Sequence, residues 1–282
     1  RRVNVWLNRG AFSDKEKVSI REILYQGSQH YKIATSNALY YLEKSSGGFS
    51  SIVDMSGRDW IQYSSSGNAS VPESAASDFR GLPNMMYAAD DDNGAGHPGF
   101  HVVSSSRIIG DNRIRFISES GSFTWQWTFY PEYAKLEILE AASEQNYWFL
   151  YEGPVGGSYH PFTKYWGTDQ GMNNSIPDFL SGETVQDNWQ WVYFGDINQD
   201  RVFYAAHLEK DNKPDVYGYM GASSERLHAS DGMLVFGFGR NKHTQPLLTG
   251  TNRFIIGFYE RKIDSEKDYA DFSEHLKKII AE

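Results

Sequence analysis

Short runs rich in Ile, Val, Tyr, Phe and Trp, each closed by Gly, Ser, Asn or Asp, recur along almost the whole chain. Near the start they are VSIREILY, HYKIAT, ALYYLEK, FSSIVD and RDWIQY. The breaks at Ser45-Ser46-Gly47-Gly48 and Asp54-Met55-Ser56-Gly57 have the glycines that tight turns need. RII and RIRFI flank Gly110-Asp111-Asn112 as a hairpin, and FTWQWTFYP and AKLEILEAA continue the meander. WQWVYFGD, RVFYAAHLE, PDVYGYM, GMLVFGFG and NRFIIGFYERK complete it. The pattern predicts an all-β protein of successive antiparallel strands. One segment differs. Over Asp264–Glu282, Tyr269, Phe272, Leu276 and Ile279 fall at helical spacing behind Ser265, which predicts a C-terminal helix. Ser13-Asp14-Lys15-Glu16 fits either a capping box or a polar turn.

Two stretches lack regular patterning: residues 64–99, full of Ser, Gly, Asn, Asp and Pro, and residues 153–187. Connections of that length are usually functional or disordered. There is no internal repeat, low-complexity tract or interdomain linker, so the 282 residues are expected to form a single β-sandwich domain over 1–282. A net charge of -9 disfavours a nucleic-acid partner, which would need clustered basic residues. No stretch approaches the ~18 consecutive apolar residues of a membrane helix. The absence of Cys excludes disulfides, thiol catalysis and thiolate metal sites. The chain begins Arg1-Arg2, as a processed or trimmed chain would, and the expected location is secreted or periplasmic. Aromatic residues reach 15%, a composition suited to β-sheets and to sugar-binding surfaces.

The run YYLEKSSGGFSSIVDMSGRDWIQY, together with the long antiparallel strands and two long loops, resembles the super-sandwich of galactose-mutarotase-like proteins. That fold is shared by several polysaccharide lyases and hydrolases. FRGLPN, GHPGF, YEGPVGG, WVYFGD and FGFGR resemble segments of secreted bacterial proteins from polysaccharide-degrading systems. The resemblance covers about residues 30–260 and implies an antiparallel β-super-sandwich acting on carbohydrate. The paired His and Glu base of mutarotases have no residue-by-residue counterpart in this chain, so the resemblance does not imply epimerase activity.

Candidate site residues concentrate in the irregular stretches. Arg80 offers a planar fork for a carboxylate or sulfate, and Asn84 offers an amide. Asp90, Asp91 and Asp92 are the alternative partners of Arg80. His97 lies between Gly96 and Pro98, with His101 nearby. In the second stretch Tyr159, His160, Lys164, Tyr165 and Trp166 combine an acid, a base, a cation and a flat ring. Trp166 is the expected stacking platform for a pyranose, for which the alternative is an aromatic loop packed onto the sheet, and Trp191, on the strand WQWVYFGD, is a further candidate for substrate binding. Glu152 shares a strand face with Trp148 and Leu150, opposite Tyr147, Phe149 and Tyr151. His207 is either a core histidine or part of a cleft. Asp196-Ile197-Asn198-Gln199-Asp200 opens like a calcium loop, but Arg201 stands in place of the required Gly. No cofactor or catalytic metal is expected, and structural calcium there or at residues 90–93 is a lesser alternative. Nucleotide, zinc-hydrolase and nucleophile-elbow motifs do not occur.

These residues fit a lyase that cleaves an acidic, uronate-containing polysaccharide or oligosaccharide by β-elimination. Arg80 and Asn84 would neutralise the carboxylate, and His97, Tyr159, His207 and His160, in that order, are candidates to move protons. The alternatives are a noncatalytic carbohydrate-binding module and a glycoside hydrolase using Glu152 and an Asp.

Overall fold

The computed structural model describes residues 18–62, 82–83, 85, 104–143, 146–158, 161–173, 184–220, 233–243 and 245–282. The first meander forms β1 (Ser19–Tyr25), β2 (Ser28–Ala34), β3 (Ala38–Glu43) and β4 (Phe49–Asp54). The middle of the chain supplies β5 (Ser104–Ile109), β6 (Arg113–Ser118), β7 (Phe123–Phe129), β8 (Tyr133–Ala141), β9 (Phe149–Gly153), β10 (Lys164–Thr168) and β11 (Gly171–Asn173). Then come β12 (Thr184–Asp187), β13 (Trp191–Asp196), β14 (Val202–His207), β15 (Asp215–Met220), β16 (Met233–Phe238), β17 (Arg253–Tyr259) and the helix α1 (Glu266–Ala281).

Every strand pairing is antiparallel. The strands form three sheets: β1-β2-β3-β4, a nine-stranded sheet ordered β11-β10-β13-β14-β17-β8-β7-β6-β5, and β12-β15-β16-β9. Both four-stranded sheets pack on one face of the large sheet. Tyr31, Tyr40 and Leu42 from the first, Tyr151, Tyr217 and Phe236 from the other, and Trp125, Trp127, Phe194, Phe203 and Phe258 from the large sheet share one buried cluster. The alternate residues of the large sheet, including Tyr193, Tyr204 and Ile255, bury against Phe272, Leu276 and Ile279 of α1. The antiparallel sandwich and the C-terminal helix anticipated from the sequence are therefore present. Ser265 caps α1 by accepting the Asp268 N–H, which satisfies one of the helix's otherwise unpaired donors.

Two expectations are corrected. The segment 153–187 is not irregular throughout: it contains β10, β11 and β12. All five residues of β10 are buried, because the large sheet is covered on both faces, so the alternation that marks a half-exposed strand is missing. RDWIQY does not continue the ladder either. Asp59 makes an isolated bridge with Val53, and its carboxylate accepts the N–H groups of Ile52 and Ile61, substituting for strand hydrogen bonds. The proposed N-terminal capping box lies outside the described residues.

Candidate functional site

At one end of the sandwich, three connections converge on a set of charged side chains. The first follows β4. Asp54 accepts the N–H groups of Ser56 at 2.7 Å and Arg58 at 3.1 Å, so the tight turn folds around its carboxylate. The second oxygen accepts the Trp60 indole N–H at 3.0 Å. Asp59 also accepts the Ser51 hydroxyl at 2.6 Å; burial pushes its carboxyl up, while its hydrogen bonds pull the other way. With Asp54 and Asp59 committed inward, the Arg58 side chain is exposed.

The second connection leaves β9. Gly153 packs against the Trp60 carbonyl, which also accepts the Tyr151 hydroxyl at 2.8 Å. A 3-10 turn at Val155–Gly157 follows, with Gly156 at φ 69° and Gly157 at φ 73°. A Cβ on Gly156 would lie 2.8 Å from that of Asp196, and one on Gly157 would lie 3.2 Å from that of Arg58. The glycines of YEGPVGG therefore permit a left-handed turn and close packing. The carbonyls of Gly156 and Gly157 accept from Arg58 Nη1 at 3.5 Å and Gln62 Nε2 at 3.0 Å. Tyr159 and His160 follow in the chain, and a second 3-10 turn at Pro161–Thr163 leads into β10.

The third connection is the β13–β14 turn. Lys164 and Asp196 are a directly opposed cross-strand pair, with Nζ 2.5 Å from Oδ2 and side chains 5% and 3% exposed. Asp196 also accepts the Thr163 hydroxyl at 2.8 Å and the Asn198 N–H at 2.9 Å. Burial pushes the Lys164 ammonium down, against the pull of Asp196. Burial also tends to raise the Asp196 carboxyl, but Lys164 and the other donors outweigh it and hold the carboxyl below the usual range. At the end of this turn Arg201 donates to Ser56 Oγ at 3.1 Å and lies 3.3 Å from Glu260 and 3.7 Å from Asp54.

The outcome is a division of labour among cations. Lys164 and Arg201 hold the turns together, whereas no carboxylate among the described residues lies within ion-pair distance of Arg58. Arg58 can meet a carboxylate or sulfate with its planar fork, while the amide nitrogen of Gln62 is held by the Asp59 and Gly157 carbonyls. Neither was singled out in the sequence. The available signal was an Arg directly after a tight turn and before an inward-facing Asp-Trp pair.

The sequence candidates divide into two groups. Arg80, Asn84, His97, His101, Tyr159 and His160 lie outside the described residues, as do Asp90, Asp91 and Asp92. Glu152, Lys164, Tyr165, Trp166, Trp191 and His207 are described, and all are buried. Trp166 is 1% exposed, stacks on Tyr217 at 4.5 Å and meets Trp189 edge-on; it is a core residue without a face for a sugar. Trp191 lies beneath α1 against Tyr269 and Phe272. Tyr165 is on that same helix-covered face and accepts the Ile263 N–H. His207 stacks on Phe254 at 4.8 Å and its Nε2 is 2.9 Å from Asn252 Oδ1. Asn252 gives its amide hydrogens to Tyr147 and Thr249, so its oxygen accepts and Nε2 carries the proton in the neutral ring. Burial pushes the His207 pKa down, outweighing Asn252, Asp211 and Glu209. His207 is 3% exposed, so it lacks the access a proton-transfer residue needs.

Glu152 does share the sheet face of Trp148 and Leu150, opposite Tyr147, Phe149 and Tyr151 in the core, and it is 1% exposed. The Asp196 carboxylate of the calcium-like sequence is engaged by Lys164. Among the described residues no three His, Asp or Glu are grouped to hold a metal ion.

A separate cavity of about 470 Å³ lies between the end of β17 and α1, lined in part by Glu132, Tyr259, Glu260, Arg261, His275 and Lys278. It adjoins the turn cluster through Glu260, whose carboxyl is pushed up by burial while Arg201 opposes the shift. No sequence candidate lines it. Among the described residues no helix is long and apolar enough to cross a membrane.

No family model matches the chain, and no curated protein matches it in sequence. Solved structures do match. The protein HI1317 aligns with a TM-score of 0.54 and 11% identity over 87% of this chain and 100% of its own. A putative mutarotase, YeaD, from Salmonella typhimurium aligns with a TM-score of 0.52 and 12% identity over 86% of this chain and 94% of its own. A galactose mutarotase-like protein from Lactobacillus casei gives 0.51 and 9% over 82% of this chain and 100% of its own. At these identities the likeness is one of architecture: the chain has a galactose-mutarotase-like sandwich fold.

Proposed function

We propose that this protein is a carbohydrate-active lyase, secreted or periplasmic, that cleaves an acidic, uronate-containing polysaccharide or oligosaccharide by β-elimination. The observation that carries the reading is Arg58: an exposed guanidinium without a carboxylate partner among the described residues, held beside Gln62 where the turn preceding Tyr159 and His160 meets the end of β4. A uronate carboxylate paired with Arg58 gains charge-assisted hydrogen bonds that strengthen as the adjacent carbon loses its proton and charge moves onto the carboxylate. Tyr159 or His160 takes that proton. The freed electron pair forms the carbon–carbon double bond as the bond to the leaving sugar oxygen breaks, and that oxygen receives a proton. Arg80, Asn84 and His97, outside the described residues, remain the sequence candidates for neutralising the carboxylate and moving protons. The fold's occurrence in a putative mutarotase and a mutarotase-like protein is compatible with a sugar ligand.

The binding-module alternative loses the platforms assigned to it, since Trp166 and Trp191 are interior. The hydrolase alternative needs an accessible carboxylate pair, and Glu152 is 1% exposed. The test is product analysis on a panel of plant and algal polyuronates. Elimination yields an unsaturated, ultraviolet-absorbing uronate or its keto product, one water lighter than a hydrolytic product. Products carrying the added water would overturn the lyase reading, and binding without product would return it to a module.

A further inference from the structure

The helix α1 buries one part of the outer face of the large sheet, and towards the β5 edge that face carries charge instead. The registers define its rows. Arg253, which shares a face with the helix-covered Ile255, stands opposite Glu137, and across the sheet from Glu137 follow Gln126, Arg115 and Arg107. Arg107 and Arg115 are a directly opposed cross-strand pair, an arrangement of like charges that costs stability. Arg113, two residues before Arg115 on β6, falls on the same face, so three guanidinium groups share one patch. Arg107 and Arg113 are exposed and Arg115 is half-buried. No carboxylate among the described residues lies within ion-pair distance of any of the three, although the chain has 36 acidic residues against 27 basic ones. The acids on the next strand are committed elsewhere: Glu137 lies 3.4 Å from Lys135, and Glu140 accepts the Thr124 hydroxyl at 3.0 Å.

We infer that Arg107, Arg113 and Arg115 form a second contact for the acidic polysaccharide, which holds a further stretch of the polymer and takes no part in the elimination. This rests on the acidic-saccharide reading above. Each guanidinium is a planar fork matched to a carboxylate or sulfate. A polymer that repeats its negative charge along its length relieves the repulsion between opposed arginines, which a lone residue elsewhere on the surface would not require. The patch is also partly ordered in advance. Gln126, 6% exposed, accepts Arg115 Nη2 at 3.1 Å and reaches Glu137 with its own amide nitrogen at 3.4 Å, so the Arg115 guanidinium is held before any ligand arrives. The turns around Arg58 pack on Asp196 at the end of β13, five strand positions from β6, or about 24 Å at roughly 4.8 Å per strand. A trisaccharide bound at Arg58 is too short to reach both places, whereas one polymer chain spans them, and linked contacts raise avidity by effective concentration. A net charge of -9 opposes the denser phosphate backbone of a nucleic acid at the same patch.

The test is calorimetric titration of the full chain with polygalacturonate and with trigalacturonate. Arg107→Gln, Arg113→Gln and Arg115→Gln combined should weaken polymer binding about tenfold, the scale of three exposed charge pairs, and leave the trimer at its wild-type affinity. Arg107→Glu keeps the inference testable where the triple variant folds poorly. It turns a like-charge pair into an opposite one, so the thermal midpoint should hold or rise while polymer affinity falls. Wild-type polymer affinity in both variants would overturn the second contact and leave the arginines as guards of the edge strand β5 against pairing with another chain. Arg58→Ala separates this inference from the reading it rests on, since that variant should weaken the trimer and the polymer alike. Polymer binding that depends on the three arginines but not on Arg58 would sustain the patch and overturn Arg58 as the carboxylate contact. Failure of both sugars to bind wild type would overturn both, and tighter binding of a DNA duplex than of polygalacturonate would overturn the polysaccharide as partner of the patch.

Discussion

Phe162 and Trp166 are four residues apart in one short segment, yet one ring is 60% exposed and the other 1%. Trp166 belongs to a strand inside a sheet covered on both faces, where its ring stacks on Tyr217 across the gap between sheets. Phe162 belongs to a turn, where the backbone leaves the ladder and the side chain meets solvent. The same division holds for cations. Lys164 is the final rung of the sheet and neutralises Asp196, whereas Arg58, in the turn after β4, is turned outward. Residue type alone does not identify a ligand group in so aromatic a chain. The secondary structure that carries the residue decides whether it consolidates the sandwich or can contact a saccharide.

Breaking the strand side of this comparison should have the largest effect. Trp166→Ala should lower unfolding free energy by about 3–5 kcal/mol, the cost of a large ring lost from a packed core, as read by denaturant titration. A change well under 1 kcal/mol accompanied by loss of sugar binding would instead return Trp166 to the site. Lys164→Ala should cost about 3–5 kcal/mol by leaving Asp196 buried and uncompensated. A double-mutant cycle through Lys164→Ala, Asp196→Ala and the double variant measures the coupling of the pair. On the turn side, Arg58→Ala should leave stability within about 0.5 kcal/mol of wild type, as for exposed positions. It should cost about 1.5–3 kcal/mol in affinity for a uronate oligosaccharide and spare a neutral one.

The pH response sharpens the reading of His207 as a core residue. Burial is the leading cause that lowers the pKa values of His207, His30 and His275 in the fold. Above the unfolded value of about 6.5 both states are neutral and stability is at its full level. As pH falls below that value the unfolded chain takes up protons that the native rings resist, so stability declines by up to about 1.4 kcal/mol per pH unit for each such His. His207→Gln should flatten this decline in urea titrations between neutral and mildly acidic pH. An unchanged slope would remove His207 from the set of groups driving it.

Much of the sandwich was legible because period-two runs with glycine turns leave little room for another fold. The hairpin at Gly110, the meander through β8 and the helix carrying Phe272 and Leu276 all follow from local patterning. The facing of Glu152 also followed, since side chains alternate along a strand. β10 was not legible. KYWGT has a Lys at one end and a Gly inside, and burial on both faces erased the alternation. Taking that strand for a loop is what made Trp166 look accessible. RDWIQY failed for the opposite reason: it has a strand-like composition, but the Asp59 side chain supplies the hydrogen bonds a neighbouring strand would have made. Arg58 and Phe162 carried no periodic signal at all, because their exposure follows from turns whose geometry depends on Asp54, Gly156 and Asp196.

Hydrogen–deuterium exchange of the full chain, with and without a saturating uronate oligosaccharide, locates the ligand most directly. Binding at the turn-built end should slow exchange in peptides covering residues 55–62 and 155–163 and leave β10 and β13 unchanged. Protection confined to residues 258–278, around the cavity beneath α1, would contradict the assignment of the saccharide site to the turns around Arg58.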